Sequence, residues 1–161
     1  MKDRINKILK HHLFIENLEK NRTAEADRRF CRHGMEHFLD VARIGRIINL
    51  EENLGIPTEL IYGAALLHDI GKHRQYEEGI PHEQASALIA PEILRECGFT
   101  ENETSVITDA ILAHRNSDVI SERNLRGVLY RADKASRPCF ACRAEPDCNW
   151  KDGRKNKEIL Y

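Results

Sequence analysis

Apolar residues recur every three or four positions along most of the chain, and the strict alternation that marks a strand is rare. Ile5, Ile8, Leu9, Leu13 and Leu18 keep helical spacing over residues 2–20. Thr23 is placed to cap a short charged helix to about Arg29, with Glu25 and Asp27 suited to its positive end. Phe38, Val41, Ala42, Ile44, Ile48 and Leu50 predict a helix over 34–52. The Asn53-Leu54-Gly55 turn stops it, and Pro57 starts the next element.

Residues 58–70 are apolar almost all round and predict a buried helix that ends at Gly71. The polar stretch 72–80 reads as a loop. Pro81 opens a helix to about Cys97, with an interruption expected at Pro91. Thr100 and Glu103 match a capping box for a helix reaching His114. Ser121 opens the last helix, through Val128, Leu129 and Ala132 to about Ala135. The pattern predicts an all-α domain over residues 1–137. From 138 to 161 Pro138, Pro146 and Gly153 break regular structure, and this segment reads as an irregular, Cys-rich tail.

At 161 residues, 41% hydrophobic and 32% charged, the chain suits one soluble globular domain that can build a core without staples. Lys and Arg total 25 against 26 Asp and Glu, which excludes a molecule-wide attraction to nucleic acid or to an anionic membrane. Any anion site must therefore be local. No stretch approaches the roughly 18 apolar residues of a membrane span, and the N-terminus carries no signal core. A cytoplasmic protein is expected. Five cysteines are an odd number, and a reducing compartment argues against a disulfide framework.

Ionisable residues interrupt this apolar plan at telling places. His68-Asp69 closes the most hydrophobic run, and a buried charge is costly unless it is paired or binds a metal. His37, His82, His114 and Asp133 each fall at or near a helix end. Adjacent residues within a helix do not share a face, so His68 and Asp69 could reach one ion only at a helix terminus, which Gly71 supplies. Imidazole with carboxylate suits Fe, Mn, Co or Zn, whereas carboxylates alone suit Mg or Ca. His33, four residues before His37, reads as a neighbour that supports the ligands. His11, His12 and His73 have no supporting pattern and read as solvent-facing.

The ordered set His37, His68-Asp69, Asp133 resembles the fingerprint of the HD superfamily of metal-dependent phosphohydrolases. His37-Phe38-Leu39-Asp40-Val41-Ala42 is similar to the first motif of that family, Leu66-Leu67-His68-Asp69-Ile70-Gly71-Lys72 to its signature block, and Tyr130-Arg131-Ala132-Asp133-Lys134 to its last. The resemblance covers roughly residues 25–137. It implies a bundle of about five core helices with His37, His68, Asp69 and Asp133 around one metal. It also implies a second ion held by His82 and His114, with Asp69 as the bridge. The most similar subgroup is the HD-type dinucleoside tetraphosphate hydrolases, from which the short Asp69–His82 loop and the cysteine tail depart.

The activity so implied is hydrolysis of a nucleotide or other phosphoester by metal-activated hydroxide, with one or two Fe, Mn, Co, Ni or Zn ions. Asp69 would bridge the ions. Lys72, Arg115, Lys134 and Arg137, each within four residues of a ligand, would neutralise phosphate charge. Lys72 is also a candidate catalytic group, and Glu83 a candidate for proton transfer. The expected partner is a small phosphorylated molecule, with no membrane, no stable nucleic-acid complex, and a homo-oligomer left open. Two other readings use the same ligands: a di-iron oxygenase and a non-catalytic nucleotide-sensing module.

The tail carries a second constellation. Cys139, Cys142 and Cys148 lie within ten positions, and Cys-x-x-Cys is half of many zinc sites and also serves iron–sulfur clusters. Cys31 precedes His37 by six residues and Cys139 follows Asp133 by six, so convergence of His37 and Asp133 would bring Cys31 toward the tail. A reduced flexible tail and a Cys139–Cys142 redox pair are the alternatives. Cys97, among Leu94 and Phe99, reads as a small buried hydrophobe.

Overall fold

The computed structural model describes residues 2–159, Lys2 by its backbone alone. Eight α-helices make up the fold, with no strand among the described residues: α1 (Lys2–Lys10), α2 (His12–Ala24), α3 (Met35–Glu51), α4 (Thr58–Leu67), α5 (Lys72–Glu78), α6 (His82–Glu96), α7 (Glu101–Ala113) and α8 (Leu125–Ala135). The expected all-α bundle is present. Five of the helices, α3, α4, α6, α7 and α8, form the core. Helix α4 runs through its middle, packed on α3, α7 and α8, while α1, α2 and α5 cover one side.

Helix α4 is central because it is apolar on every face: Ile61, Ala64, Ala65, Leu66 and Leu67 are all buried. Phe38 and Val41 from α3, Ile93 and Leu94 from α6, Ile107 and Ile111 from α7, and Leu129 from α8 close around it. Each such side chain contributes about 2 kcal/mol by leaving water. This core keeps the polar groups at the end of α4 in fixed positions.

Several boundaries differ from the sequence pattern for identifiable reasons. Residues 2–20 are not one helix: His11 leaves helical geometry (ψ 131°), and its Nδ1 accepts the Leu13 N–H to cap α2. The short helix expected from Thr23 is absent, since α2 runs through Thr23 to Ala24 and the chain then turns. Glu25 is drawn inward to His33 and Tyr76 instead of sitting at a helix start.

The stretch 72–80, expected as a loop, contains α5. Its polar sequence hides a helix that buries Lys72 and His73 and pairs Arg74 with Glu78 on the outside at 2.9 Å. Pro91 does not interrupt α6, because Ala90, Ile93 and Leu94 are buried around it and packing outweighs one lost backbone bond. The last helix starts later than Ser121. A 3₁₀ turn, Ser117–Ser121, comes first, and Asn124 caps α8 by accepting the Gly127 N–H at 3.2 Å.

Beyond α8 the tail forms three 3₁₀ turns, Cys139–Ala141, Glu145–Asp147 and Asp152–Arg154. It is tied down by hydrogen bonds: Asn156 Nδ2 donates to the Lys134 and Arg137 carbonyls at 2.8 Å each. No helix among the described residues is long and apolar enough to cross a membrane.

Candidate metal centre

Helix α4 ends at Leu67, and His68, Asp69, Ile70 and Gly71 form the turn into α5. That turn points both His68 and Asp69 into one buried space, which a continuous helix would forbid. Gly71 is required by the closeness of α6: a Cβ there would lie 2.7 Å from the backbone of Ala85 and Ser86. Ser86 Oγ accepts the Gly71 N–H at 2.9 Å and fixes the approach. Asn21 of α2 donates to the Asp69 carbonyl at 2.9 Å and accepts the His73 N–H at 2.8 Å, so one buried amide spans the turn.

The structure brings the six predicted ligands together as two sets that share Asp69. His37, His68, Asp69 and Asp133 form one, and Asp69, His82 and His114 the other, each with its ligand atoms within 4.8 Å. The two oxygens of Asp69 face different sets. Oδ2 lies 3.1 Å from His68 Nε2 and 3.4 Å from His37 Nε2, and Oδ1 lies 3.2 Å from His82 Nε2 and 3.4 Å from His114 Nε2. Asp133 Oδ1 joins the first set at 3.3 Å from His37 Nε2. All six residues are buried.

The outward nitrogens define what the inward ones offer. His68 Nδ1 lies 2.7 Å from the Ala65 carbonyl, and His114 Nδ1 lies 2.6 Å from that of Ile111. His82 Nδ1 meets Gln75 Oε1. Ser136 Oγ donates to the Asp133 carbonyl at 2.7 Å, which leaves it to accept from His37 Nδ1 at 3.3 Å. The Nδ1 atoms of His68 and His114 thus carry protons and their Nε2 atoms are the ones left for an ion, as in metal-bound histidines, and the contacts of His37 and His82 favour the same tautomer.

Two such pairs, His37 with His68 and His82 with His114, have their Nε2 atoms 3.2 Å apart. Facing lone pairs repel unless a cation lies against them. Asp69 Oδ1 and Asp133 Oδ1 are likewise buried with no hydrogen-bond donor. The donor set therefore fits one or two divalent ions.

The electrostatics agree. Burial opposes charge on His68, but Asp69 and Asp133 outweigh it and raise its pKa to about 10, so this space calls for a cation, either a proton on His68 Nε2 or a metal ion in its place. Burial, reinforced by Lys72 and outweighing Asp69, holds His82 down at about 2, which keeps it neutral as a ligand must be. Asp133 and Asp69 stay well below the carboxylate range, because the histidines around them overcome the cost of burial.

The predicted cations surround this centre. Lys72 is buried with Nζ 3.2 Å from His82 Nδ1. Arg137 is buried with Nη2 3.6 Å from Asp133 Oδ1. Lys134 Nζ lies 2.6 Å from Asp133 Oδ2, and Arg115 is exposed at the rim. Glu83 sits 3.4 Å from Arg115 and 3.9 Å from the outward His82 Nδ1, away from the inward nitrogens.

Two histidines expected in solvent are not there. His73 is buried, with Nε2 2.8 Å from Asn17 Oδ1, and the His11 side chain is largely covered and meets Glu96 at 2.9 Å; His12 is exposed.

His33 lies beside the ligands as its spacing predicts, and Glu25, Ser136, Gln75 and Asn21 support the centre without any signal in the sequence pattern. His33 is buried, held by Glu25 through both its backbone N–H and Nδ1, with Nε2 3.9 Å from Asp69 Oδ2. Its four-residue spacing from His37 was the available signal. The hydrogen-bonding polar groups left none, because their partners lie far away in the chain.

The chain is similar to known proteins over most of its length. The chain is 48% identical over 159 residues to an uncharacterised protein of Clostridium beijerinckii, covering 99% of each. Its fold is like the crystal structure of a predicted HD superfamily hydrolase from an uncultured Thermotogales bacterium. That likeness has a TM-score of 0.62 and 24% identity, over 88% of this chain and 80% of the other. The model of the HD domain family matches residues 34–144, which include every candidate ligand of both sets. The chain belongs to the HD domain family.

Proposed function

We propose that the protein is a metal-dependent phosphohydrolase acting on a nucleotide or another phosphoester. The observation that carries the reading is Asp69, whose two oxygens each face a separate pair of imidazole nitrogens. Divalent Fe, Mn, Co, Ni or Zn bound there would supply a water acidified toward neutral pH and a Lewis acid for a phosphoryl oxygen.

The remaining tasks fall to the protein. Ser136, Gln75 and the Ala65 and Ile111 carbonyls hold the four ligand rings in one tautomer. Lys72 and Arg137, buried beside the ligands, give a polyanion a local positive field in a chain whose net charge is −1. Lys134 and Arg115 extend that field to the rim. His33 is the proton acceptor: Glu25 fixes its Nδ1, and its Nε2 faces the centre, placed to take a proton from attacking water, while the leaving oxygen on the opposite side of phosphorus takes its proton from solvent.

Phosphate release from a panel of nucleotides and phosphoesters with Mn or Fe tests this, with aerobic oxygen consumption followed in parallel. Metal-dependent phosphate release, lost together with bound metal in Asp69→Ala, is expected. His33→Ala should keep the metal and lower kcat by about 10²-fold or more. Substrate-dependent oxygen uptake without phosphate release would overturn the assignment in favour of an oxygenase.

A further inference from the structure

Four of the five cysteines, Cys31, Cys139, Cys142 and Cys148, line one cavity of about 480 Å³ between the start of α3 and the tail. The fifth, Cys97, is buried in the apolar core. We propose that these four thiols hold a thiolate-bound iron–sulfur cluster, separate from the His/Asp centre.

Three features of the tail support it. First, its backbone is built to aim the thiols one way. Successive i to i−3 bonds join Cys142 to Cys139, Glu145 to Cys142 and Cys148 to Glu145 at 3.1–3.2 Å. Side chains three apart in such turns fall on the same side, and all four of these residues line the cavity. Cys31, over a hundred residues earlier in the chain, lines the same cavity.

Second, the tail has an ordered shape without a core to hold it. Among its described residues Ala144 is the buried hydrophobic one, so hydrogen bonds from Asn156 and the Lys155–Glu145 and Arg29–Asp147 pairs hold the tail in place of a core. A metal group bound by its cysteines would add the stabilisation that a core gives elsewhere, as in other small metal-stapled folds. Third, Arg29, Arg32, Arg137 and Lys155 line the cavity beside Glu36, Asp40 and Glu145, and the buried Arg137 Nε has no hydrogen-bond acceptor. Arg29 and Lys155 pair with Asp147 and Glu145, so the unsatisfied guanidinium nitrogen of Arg137 is the group that an anionic thiolate-bound cluster would meet favourably.

The thiols are spaced more loosely than one zinc ion would draw them, which favours a cluster. Tetrahedral zinc with bonds of about 2.3 Å draws its thiolates to about 3.8 Å from one another. Among the described residues the sets of three or more ligand atoms within 4.8 Å are the two His/Asp sets, and no three of the thiols form another. An iron–sulfur core spreads its cysteines over several irons, and the cavity has room for it.

The test is iron, zinc and acid-labile sulfide analysis, with visible absorption, of the full chain purified and reconstituted without oxygen. Equal amounts of cluster iron and sulfide should persist in His68→Ala, which disables the other centre, and in Cys97→Ser. They should be lost in Cys142→Ser and Cys148→Ser, whose helical circular dichroism stays unchanged while the tail becomes open to protease. Absence of sulfide from every preparation, sulfide retained in both tail variants, or one zinc ion that depends on the cysteines would each overturn the proposal.

Discussion

At the scale of the residue, groups that never touch a ligand's inward nitrogen decide what that ligand can do. Ser136 is the clearest case. Its hydroxyl gives its proton to the Asp133 carbonyl and so can only accept from His37 Nδ1, which turns the lone pair of Nε2 inward. Ser136→Ala should weaken metal affinity about 10-fold, measured by titration of the metal-free protein, with little loss of helix content. Unchanged affinity would mean that the His37 ring is oriented by packing alone. Asn21 acts through the backbone instead, joining the Asp69 carbonyl to the His73 N–H. Asn21→Leu leaves the His73 N–H buried without an acceptor, while the Asp69 carbonyl keeps the Lys72 N–H, and should cost about 2 kcal/mol, read as a lower denaturant midpoint. His68-Asp69 stood out in the sequence because two ionisable residues closed an apolar run. Ser136 and Asn21 did not, since serine and asparagine are ordinary in helices and turns.

At the scale of the element, the turn between α4 and α5 is where fold and site depend on one another. Gly71 lets α6 come so close that a methyl group would meet the backbone of Ala85 and Ser86 at 2.7 Å. Gly71→Ala should therefore cost about 3 kcal/mol, because backbone cannot move aside as a side chain tip does. It should also weaken metal binding through His82, which stands at the start of α6. A variant with wild-type melting temperature and metal content would show that α6 can shift freely. Helix α5 was illegible beforehand because its residues are nearly all polar, and its inner face meets Asn17 and Asn21 rather than an apolar core. A hydrophobic period cannot mark a helix that buries polar groups against polar groups. Helix α4 could be read at sight, for the opposite reason.

At the scale of the whole molecule, α1 is fastened to the bundle by charge. Arg4 reaches Glu59 of α4 at 3.0 Å and Glu103 of α7 at 2.8 Å, and its guanidinium lies over the Phe99 ring. Glu59 is buried, so Arg4→Ala strands a carboxylate. The loss should lie between that of a surface and a buried pair, at about 2 kcal/mol, or ~6 °C in melting temperature for a chain of this size. The pH dependence has a definite sign. Hydrogen bonds from Arg4, and then from the Thr100 backbone, hold Glu103 down at about 2. A depressed carboxylate stabilises the fold above its ordinary pKa near 4.5, and that contribution fades as pH falls from there through about 2. The stability gap between wild type and Arg4→Ala should therefore be full at pH 6 and narrow below pH 4. A constant gap across that range would remove Glu103 from the account. The sequence by itself determined the helical class and the apolar α4, because hydrophobic periodicity is a local property, and its resemblance to the HD superfamily singled out the six candidate ligands. Tertiary structure alone decided that Asp69 faces two histidine pairs, that His33 and Glu25 join them, and that four cysteines share one cavity. Those facts depend on distances between residues far apart in the chain, which no local pattern encodes.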